Sequence, residues 1–362
     1  MALVSVGFDN MAWAIPQHSR QEINAAGDCL IADTHVTDLM RRDEILATIN
    51  NWRSSHSFPL QSFKMTLLGR AKKVDRRAIV AQRLKRLSSI SAKLQRFPDM
   101  KLSQMQDIGG CRAVVENTEG VRQLVSLYAR ARAKNPKRRH EFLNDKDYIA
   151  HPKVDGYRGV HLIYRYRSTS RKHGVYTGLK IEIQLRSKLQ HAWATAVETV
   201  SIFTGQALKS SGGEADWRRF FALMSSAMAF KEKQPLVPDT PTNRKELIAE
   251  LRLLKDRLKV VNALRGWSWA LKQLPAKNVT YAVAFLIVLD TVAYTLATTG
   301  YKKEELTKAS QEYLAVEKAT ASKPGTQAVL VSLDSVHTLR SAYPNYFLDT
   351  NAFLTALESV TR

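Results

Sequence analysis

A chain of 362 residues is long enough for two domains of ordinary size, and a hydrophobic share of 44% supports a sizeable core and excludes bulk disorder. Charged residues make up 24%, yet 55 Lys+Arg stand against 33 Asp+Glu, and the net charge of +22 suits phosphate-bearing partners such as nucleotides or nucleic acid. The two cysteines, Cys29 and Cys111, sit in no CxxC or Cys/His array, which excludes a disulfide scaffold and a cysteine zinc site.

The first ten residues, MALVSVGFDN, lack the basic start and apolar stretch of a signal peptide, so the cytoplasm is the expected location. Helical spacing of Leu39, Ile45, Ile49 and Trp52 predicts a helix from Asp33 to Arg53, and Phe63 to Leu94 reads as further, heavily basic helix. A strand follows at Cys111–Glu116, then a helix at Thr118–Ala133 opened by a threonine cap. Two strands, Val160–Arg167 and Lys180–Arg186, precede a helix over Leu189–Phe203. Pro235, Pro238 and Pro241 mark Lys231–Asn243 as a linker, since proline cannot continue a helix. Beyond it the pattern gives a helix from Arg244 to about Leu274, strands at Tyr281–Leu289 and Val292–Thr298, a helix at Lys303–Ala319, a strand at Ala328–Leu333 and helical pieces to the end.

Val279–Thr298 is apolar enough to raise a membrane span. Asp290 stands at its middle, and a central aspartate costs a few kcal/mol in lipid, so two buried strands are expected and no membrane attachment. The charge is divided unevenly. Residues 276–362 hold eight basic and eight acidic residues, so the surplus belongs to residues 1–275. Between Lys64 and Lys101 alone, twelve basic residues face only Asp75 and Asp99.

The strand KIEIQLR, Lys180–Arg186, alternates. Ile181, Ile183 and Leu185 share one face, and Glu182, Gln184 and Arg186 the other. By itself this is a sheet with one wet face. The segment MQDIGGCRAVV, Met105–Val115, adds Asp107 ahead of Gly109 and Gly110, with Arg112 just beyond. On neighbouring strands, Asp107 and Glu182 could share a divalent cation flanked by Arg112 and Arg186, the equipment of phosphoryl-type transfer. No GxxxxGK[ST] is present, so ATP would be held by side chains rather than by a P-loop. RLKRLSSISAK, Arg83–Lys93, offers Arg83, Lys85, Ser89 and Lys93, although a basic helix face is more often only solvated. DYIAHPKVDGYRGVH, Asp147–His161, presents Lys153, Tyr157, Arg158 and His161 from a shaped loop, with Tyr157 as a stacking platform for a base.

These four motifs, with WRSSHSFPL (Trp52–Leu60) upstream, stand in the order seen in the RelA/SpoT-type alarmone synthetases, and the resemblance covers roughly residues 45–230. It implies an α/β fold with a nucleotidyltransferase-like mixed sheet flanked by helices. It implies that Arg83 and Arg112 sandwich adenine, while Lys85, Lys93 and Arg96 hold the phosphates of ATP, with Ser89 also counted to the ATP site. Asp107 and Glu182 would bind Mg²⁺, and Glu182 would also activate the attacking hydroxyl. Tyr157 would stack on the acceptor base, with Lys153, Arg158, His161, Gln184, Arg186 and His191 around it.

The family's hydrolase domain has no counterpart before residue 45, so such an enzyme needs another brake. The neutral tail resembles that of the CapRel-type fused toxin–antitoxins. This implies a small zinc-finger-like regulatory domain without zinc ligands, in which a YxxY element, here Tyr343 to Tyr346, blocks the ATP site. The organisation expected is a synthetase domain over 1–230, linker and connecting helix over 231–275, and a regulatory domain over 276–362. Two acceptors fit: GDP or GTP, as in alarmone synthesis, or the 3′-terminal ribose of tRNA, as in the toxic relatives. The basic surplus favours tRNA, with Lys72, Lys73, Arg138 and Arg139 on the contacting surface. The CapRel resemblance also implies a phage protein, such as a major capsid protein, as the trigger. A non-catalytic RNA-binding protein on the same fold is the alternative from a different class.

Overall fold

The alternating strand Lys180–Ser187 (β5) lies at the centre of a five-stranded sheet, where Ile181, Ile183 and Leu185 are fully buried on one face. In this computed structural model the described residues are 13–32, 39–134, 140–203, 215–261, 264–265, 284–290, 295–320, 326–332 and 350–362. The other strands are β1 (Ile79–Leu84), β2 (Gly109–Val115), β3 (Glu141–Asp147) and β4 (Val160–Arg165). Their order is β1-β2-β5-β4-β3, with β2 and β5 parallel and every other pair antiparallel. Helices α1 (Arg20–Ile31), α2 (Leu39–Ser55), α3 (Ser57–Val74), α4 (Leu87–Arg96) and α5 (Thr118–Lys134) flank it. Leu60, Phe63 and Leu67 of α3 and Val121, Leu124 and Tyr128 of α5 meet the β5 isoleucines in one core. This covers the apolar face and leaves the polar face for the site.

A second layer packs α6 (Lys188–Phe203), α7 (Ala215–Glu232) and α8 (Arg244–Arg257) through Trp193, Phe220, Phe221 and Leu251. A three-stranded sheet follows, β6 (Ala284–Asp290), β7 (Thr295–Tyr301) and β8 (Thr326–Ser332), in the order β7-β6-β8 and antiparallel throughout. Helix α9 (Leu306–Thr320) covers it with Ala309 and Tyr313. The last helix, α10 (Asn351–Thr361), lies against α6, α7 and α8, with Phe353 in their core. Among the described residues no helix is long and apolar enough to cross a membrane.

The structure departs from the sequence reading at several places. The long basic helix expected over Phe63–Leu94 is broken at Asp75. That residue caps a turn by accepting from the amide of Arg77, and the β-favouring Ile79–Val80 pair then opens strand β1. Helix α1 was not anticipated, although Ser19 and Glu22 form a reciprocal capping box at its start. Strand β3 was missed because its pattern, EFLNDKD, is polar and lies at the sheet edge. Strand β7 overlaps the expected strand at Val292–Thr298, of which residues 292–294 lie outside the described residues. Ala297, within the expected buried strand, is exposed on β7. The proline-rich segment is not a free tether. Val237 is buried, its amide donates to Ser226 Oγ at 2.9 Å, and Pro235 O accepts from Arg158 at 2.6 Å. The residues of the expected helix beyond 265 lie outside the described residues, as do Tyr343, Tyr346, Arg138 and Arg139.

Candidate active site

Parallel pairing of β2 with β5 sets Gly110 opposite Glu182 and Arg112 opposite Gln184. Antiparallel pairing of β4 with β5 sets His161 opposite Gln184, so these side chains rise from one face of the sheet. Between β1 and β2, Arg83 faces Gly110 and Ala81 faces Arg112. Arg83 and Arg112 are therefore diagonal neighbours, roughly 7–8 Å apart at their backbones in such ladders. The floor between them is Ala81 and Gly110, and a Cβ placed on Gly110 would meet nothing nearer than 4.0 Å. Two guanidiniums over a small-residue floor form a slot suited to a planar ring. Asp107, Lys85, Glu182 and Gln184 line the same cleft, whose volume is about 470 Å³ including its open mouth.

Asp107 precedes β2 and is engaged on both oxygens, by Lys93 Nζ at Oδ1, 2.8 Å, and by Lys85 Nζ at Oδ2, 2.9 Å. Burial alone would raise its pKa; the two ammoniums outweigh this and hold the carboxyl well below the usual range. Burial also lowers the pKa of Lys85, against the pull of Asp107. This places an ionised carboxylate and two lysine ammoniums together beside the cleft.

Glu182 is 9% exposed, and its oxygens are held by His161 Nδ1 at 2.9 Å and Gln184 Nε2 at 2.6 Å. Its desolvation is offset by His161, so its pKa falls below the ordinary value. His161 Nε2 meets the Tyr157 hydroxyl at 2.5 Å, and Arg186 donates to the same hydroxyl at 2.9 Å. Burial disfavours the His161 cation, but Tyr157 and Glu182 push its pKa up to about 9. Burial likewise opposes ionisation of Tyr157, yet Arg186 and His161 bring the phenol down to about 8. The polar face of β5 is thus a buried network rather than a wet surface.

The expected site residues divide. Arg83, Lys85, Lys93, Asp107, Arg112, Tyr157, His161, Glu182, Gln184 and Arg186 converge on the cleft or its hydrogen-bond network. Lys153 is exposed, its ammonium 5.2 Å from the Tyr157 ring centre and 4.6 Å from that of Tyr148, an aromatic neighbour that sequence reasoning did not single out. Ser89 and Arg96 ride on α4 with Lys93, Arg96 being exposed beside Phe97. Arg158 does not reach the cleft. Its buried guanidinium bonds Ser225 Oγ at 2.9 Å and Pro235 O, tying the loop to α7 and the proline-rich segment. His191 is buried in the first turn of α6. Glu198, overlooked in the sequence, lies 3.9 Å from Arg83 and 3.7 Å from Arg86. Lys72 and Lys73 are exposed at the end of α3.

Among the described residues no group of three or more His, Cys, Asp or Glu is arranged to hold a metal. Two carboxylates in one cleft nevertheless fit Mg²⁺, which commonly takes one or two protein carboxylates and completes its shell with substrate phosphates and water.

Residues 82–204 match the family described as "Region found in RelA / SpoT proteins". Over 123 residues the chain is 32% identical to "GTP pyrophosphokinase YjbM" of Bacillus subtilis (strain 168), which covers 32% of this chain and 52% of that protein. The chain therefore spans about half the length of that curated relative. Similar solved structures include small alarmone synthetase 1 from Bacillus subtilis bound to its product pppGpp, at 22% identity, covering 49% of this chain and 89% of that one with a TM-score of 0.39. A GTP pyrophosphokinase family protein from Streptococcus pneumoniae is 19% identical, covering 57% and 92% with a TM-score of 0.40.

Proposed function

We propose that the chain is an ATP-dependent pyrophosphokinase of the RelA/SpoT type, acting on a ribose hydroxyl. The observation that carries the reading is the cleft itself, with Asp107 and Glu182 beside the Arg83–Arg112 slot and the Lys85–Lys93 pair, all inside the matched segment. In this reading the acceptor oxygen attacks the β-phosphorus of ATP. The bond from that phosphorus to the bridging oxygen breaks, AMP leaves, and the hydroxyl proton passes to Glu182 or to water. The arginine slot takes adenine, and Lys85 and Lys93 exchange Asp107 for the phosphates. Mg²⁺, when bound by Asp107 and Glu182, supplies charge neutralisation on the moving phosphates. His161 and Gln184 fix both oxygens of Glu182, and Tyr157 with Lys153 faces the acceptor.

The acceptor we favour is the 3′-terminal ribose of tRNA, because Lys72, Lys73, Arg76 and Arg77 form an exposed basic corner beyond the nucleotide cleft. The name of the Bacillus subtilis relative favours a second reading, with GDP or GTP as acceptor. Incubation with γ-labelled ATP and either tRNA, GDP or GTP separates the two by which species carries label. The CapRel resemblance further supports a restraining role for the C-terminal unit through Tyr343 and Tyr346, relieved by a phage protein. The double variant Tyr343→Ala/Tyr346→Ala should then be active without a trigger; a folded but silent variant would reject the brake.

A further inference from the structure

Arg53, near the end of α2, is 2% exposed and has three partners. Its Nε donates to the carbonyl of Lys85 at 2.9 Å, one terminal nitrogen donates to Glu317 Oε2 at 2.9 Å, and the other hydrogen-bonds the Tyr313 hydroxyl. Burial works against the Arg53 cation, but Tyr313 and Glu317 more than restore it. Glu317 Oε1 in turn accepts from the amide of Leu87 at 2.7 Å. Leu87 is the first residue of α4, and the cap residue, Arg86, makes no side-chain capping bond. The start of α4 is therefore capped by a carboxylate from α9, 230 residues away in sequence. Tyr313 and Glu317 are themselves buried at this contact.

The capped segment matters because of what it carries. Lys85 and Lys93 bracket it, and both ammoniums reach Asp107. Segment 85–87 is thus held from behind by the C-terminal unit and from in front by the cleft. We propose that Glu317 is a positioning residue for the nucleotide-donor site: by capping α4 and clamping Arg53 to the carbonyl of Lys85, docking of α9 sets the two lysines for the phosphates of ATP. This rests on the donor-site reading above. Docking of α9 and ATP binding then favour one another, since each needs the same placement of α4, and the restraint proposed for Tyr343 and Tyr346 is separate from this contact.

The test uses the full-length chain carrying Tyr343→Ala and Tyr346→Ala as parent, so that the proposed brake is absent, and the α,β-methylene analogue of ATP, with no acceptor, followed by calorimetry. Glu317→Gln keeps the shape but loses the charge. It should weaken analogue binding about tenfold, as expected for losing a charged hydrogen bond, and Glu317→Ala should weaken it further. Lys318→Ala, which breaks only the neighbouring exposed pair with Asp43, should bind like the parent. Hydrogen exchange reads the contact independently of binding. The amides of 87–90 should exchange faster in Glu317→Gln, while those of α7 and α10 stay protected. In turnover, KM for ATP should rise with kcat at saturating ATP retained. Parental affinity in Glu317→Gln would overturn the proposal. So would tighter binding or faster turnover, which would make the contact a brake. If the parent itself does not bind the analogue, the donor-site reading falls and this proposal with it; unchanged exchange at 87–90 would reject the cap alone.

Discussion

Lys93 donates to Asp107 across the gap between α4 and the start of β2, at 2.8 Å, and so joins the helix that would grip phosphates to a carboxylate that would bind metal. Lys85 takes the other oxygen. A carboxylate wholly engaged by cations stays ionised at neutral pH and is released when those cations find stronger anions. Asp107→Asn and Glu182→Gln should each lower transfer about a thousandfold, or ~4 kcal/mol in barrier, as expected for the loss of a metal-binding carboxylate. Label transfer measured directly, with circular dichroism as a fold control, checks this.

The diagonal placement of Arg83 and Arg112 over Ala81 and Gly110 gives a separate prediction. Arg112→Ala should raise KM for ATP about tenfold, the size expected for losing one guanidinium face against a ring, and leave acceptor affinity unchanged. Gly110→Val should do the same by filling the slot floor. Steady-state kinetics with each substrate varied in turn distinguishes the two effects.

The buried His161 gives a pH dependence of stability. Its folded pKa, about 9, lies above the ordinary 6.5, so its stabilising contribution is complete below about 6.5 and is lost as pH rises toward 9. Tyr157 acts in the opposite sense: its phenol is lowered to about 8 from 10.0, so its contribution grows as pH rises through that range. Between about pH 6.5 and 8, metal-free wild-type protein should therefore lose denaturant stability that His161→Gln does not lose. Parallel curves for the two proteins across that window would reject the assignment.

Gly156 joins the acceptor loop to the helical layer with φ +90°, and a Cβ there would lie 2.9 Å from Trp193 Cζ2 and 3.0 Å from Phe221 O. Both the backbone conformation and the space exclude a side chain. Gly156→Ala should cost about 3 kcal/mol, combining backbone strain with overpacking. Urea unfolding measures it.

Charge reversal at Lys72 and Lys73 should weaken tRNA modification and flatten its salt dependence, while analogue binding is spared. Equal loss of both would place these lysines in the donor site instead.

Much of the site was legible because β5 alternates without interruption. The two-residue period fixes Glu182, Gln184 and Arg186 on one face whatever surrounds them. The spacing of Asp107 ahead of the glycines was equally local. Arg158 misled because its motif places it beside Tyr157, yet the positive φ of Gly156 and Gly159 turns its neighbours in a way no spacing reveals. Strand β1, IVAQRL, was hidden by the basic residues that flank it, Lys72 to Arg77 before and Lys85 and Arg86 after, which mimic one continuous basic helix although Asp75 ends α3. Glu317 carried no signal at all, since its partners Arg53 and Leu87 are 264 and 230 residues distant in sequence. The small sheet was visible in outline, since its strands Ala284–Asp290 and Thr295–Tyr301 overlap the expected ones.

The central claim is that this cleft moves the β,γ-diphosphate of ATP to a ribose hydroxyl. The most direct measurement follows label from γ-labelled ATP together with AMP release, in full-length protein carrying Tyr343→Ala and Tyr346→Ala, with Mg²⁺ and with tRNA, GDP or GTP supplied separately. The account predicts one AMP formed for each label transferred, with tRNA the preferred acceptor and both signals lost on adding Asp107→Asn. Release of inorganic phosphate and ADP without labelled acceptor, or transfer that persists in Asp107→Asn, would contradict it.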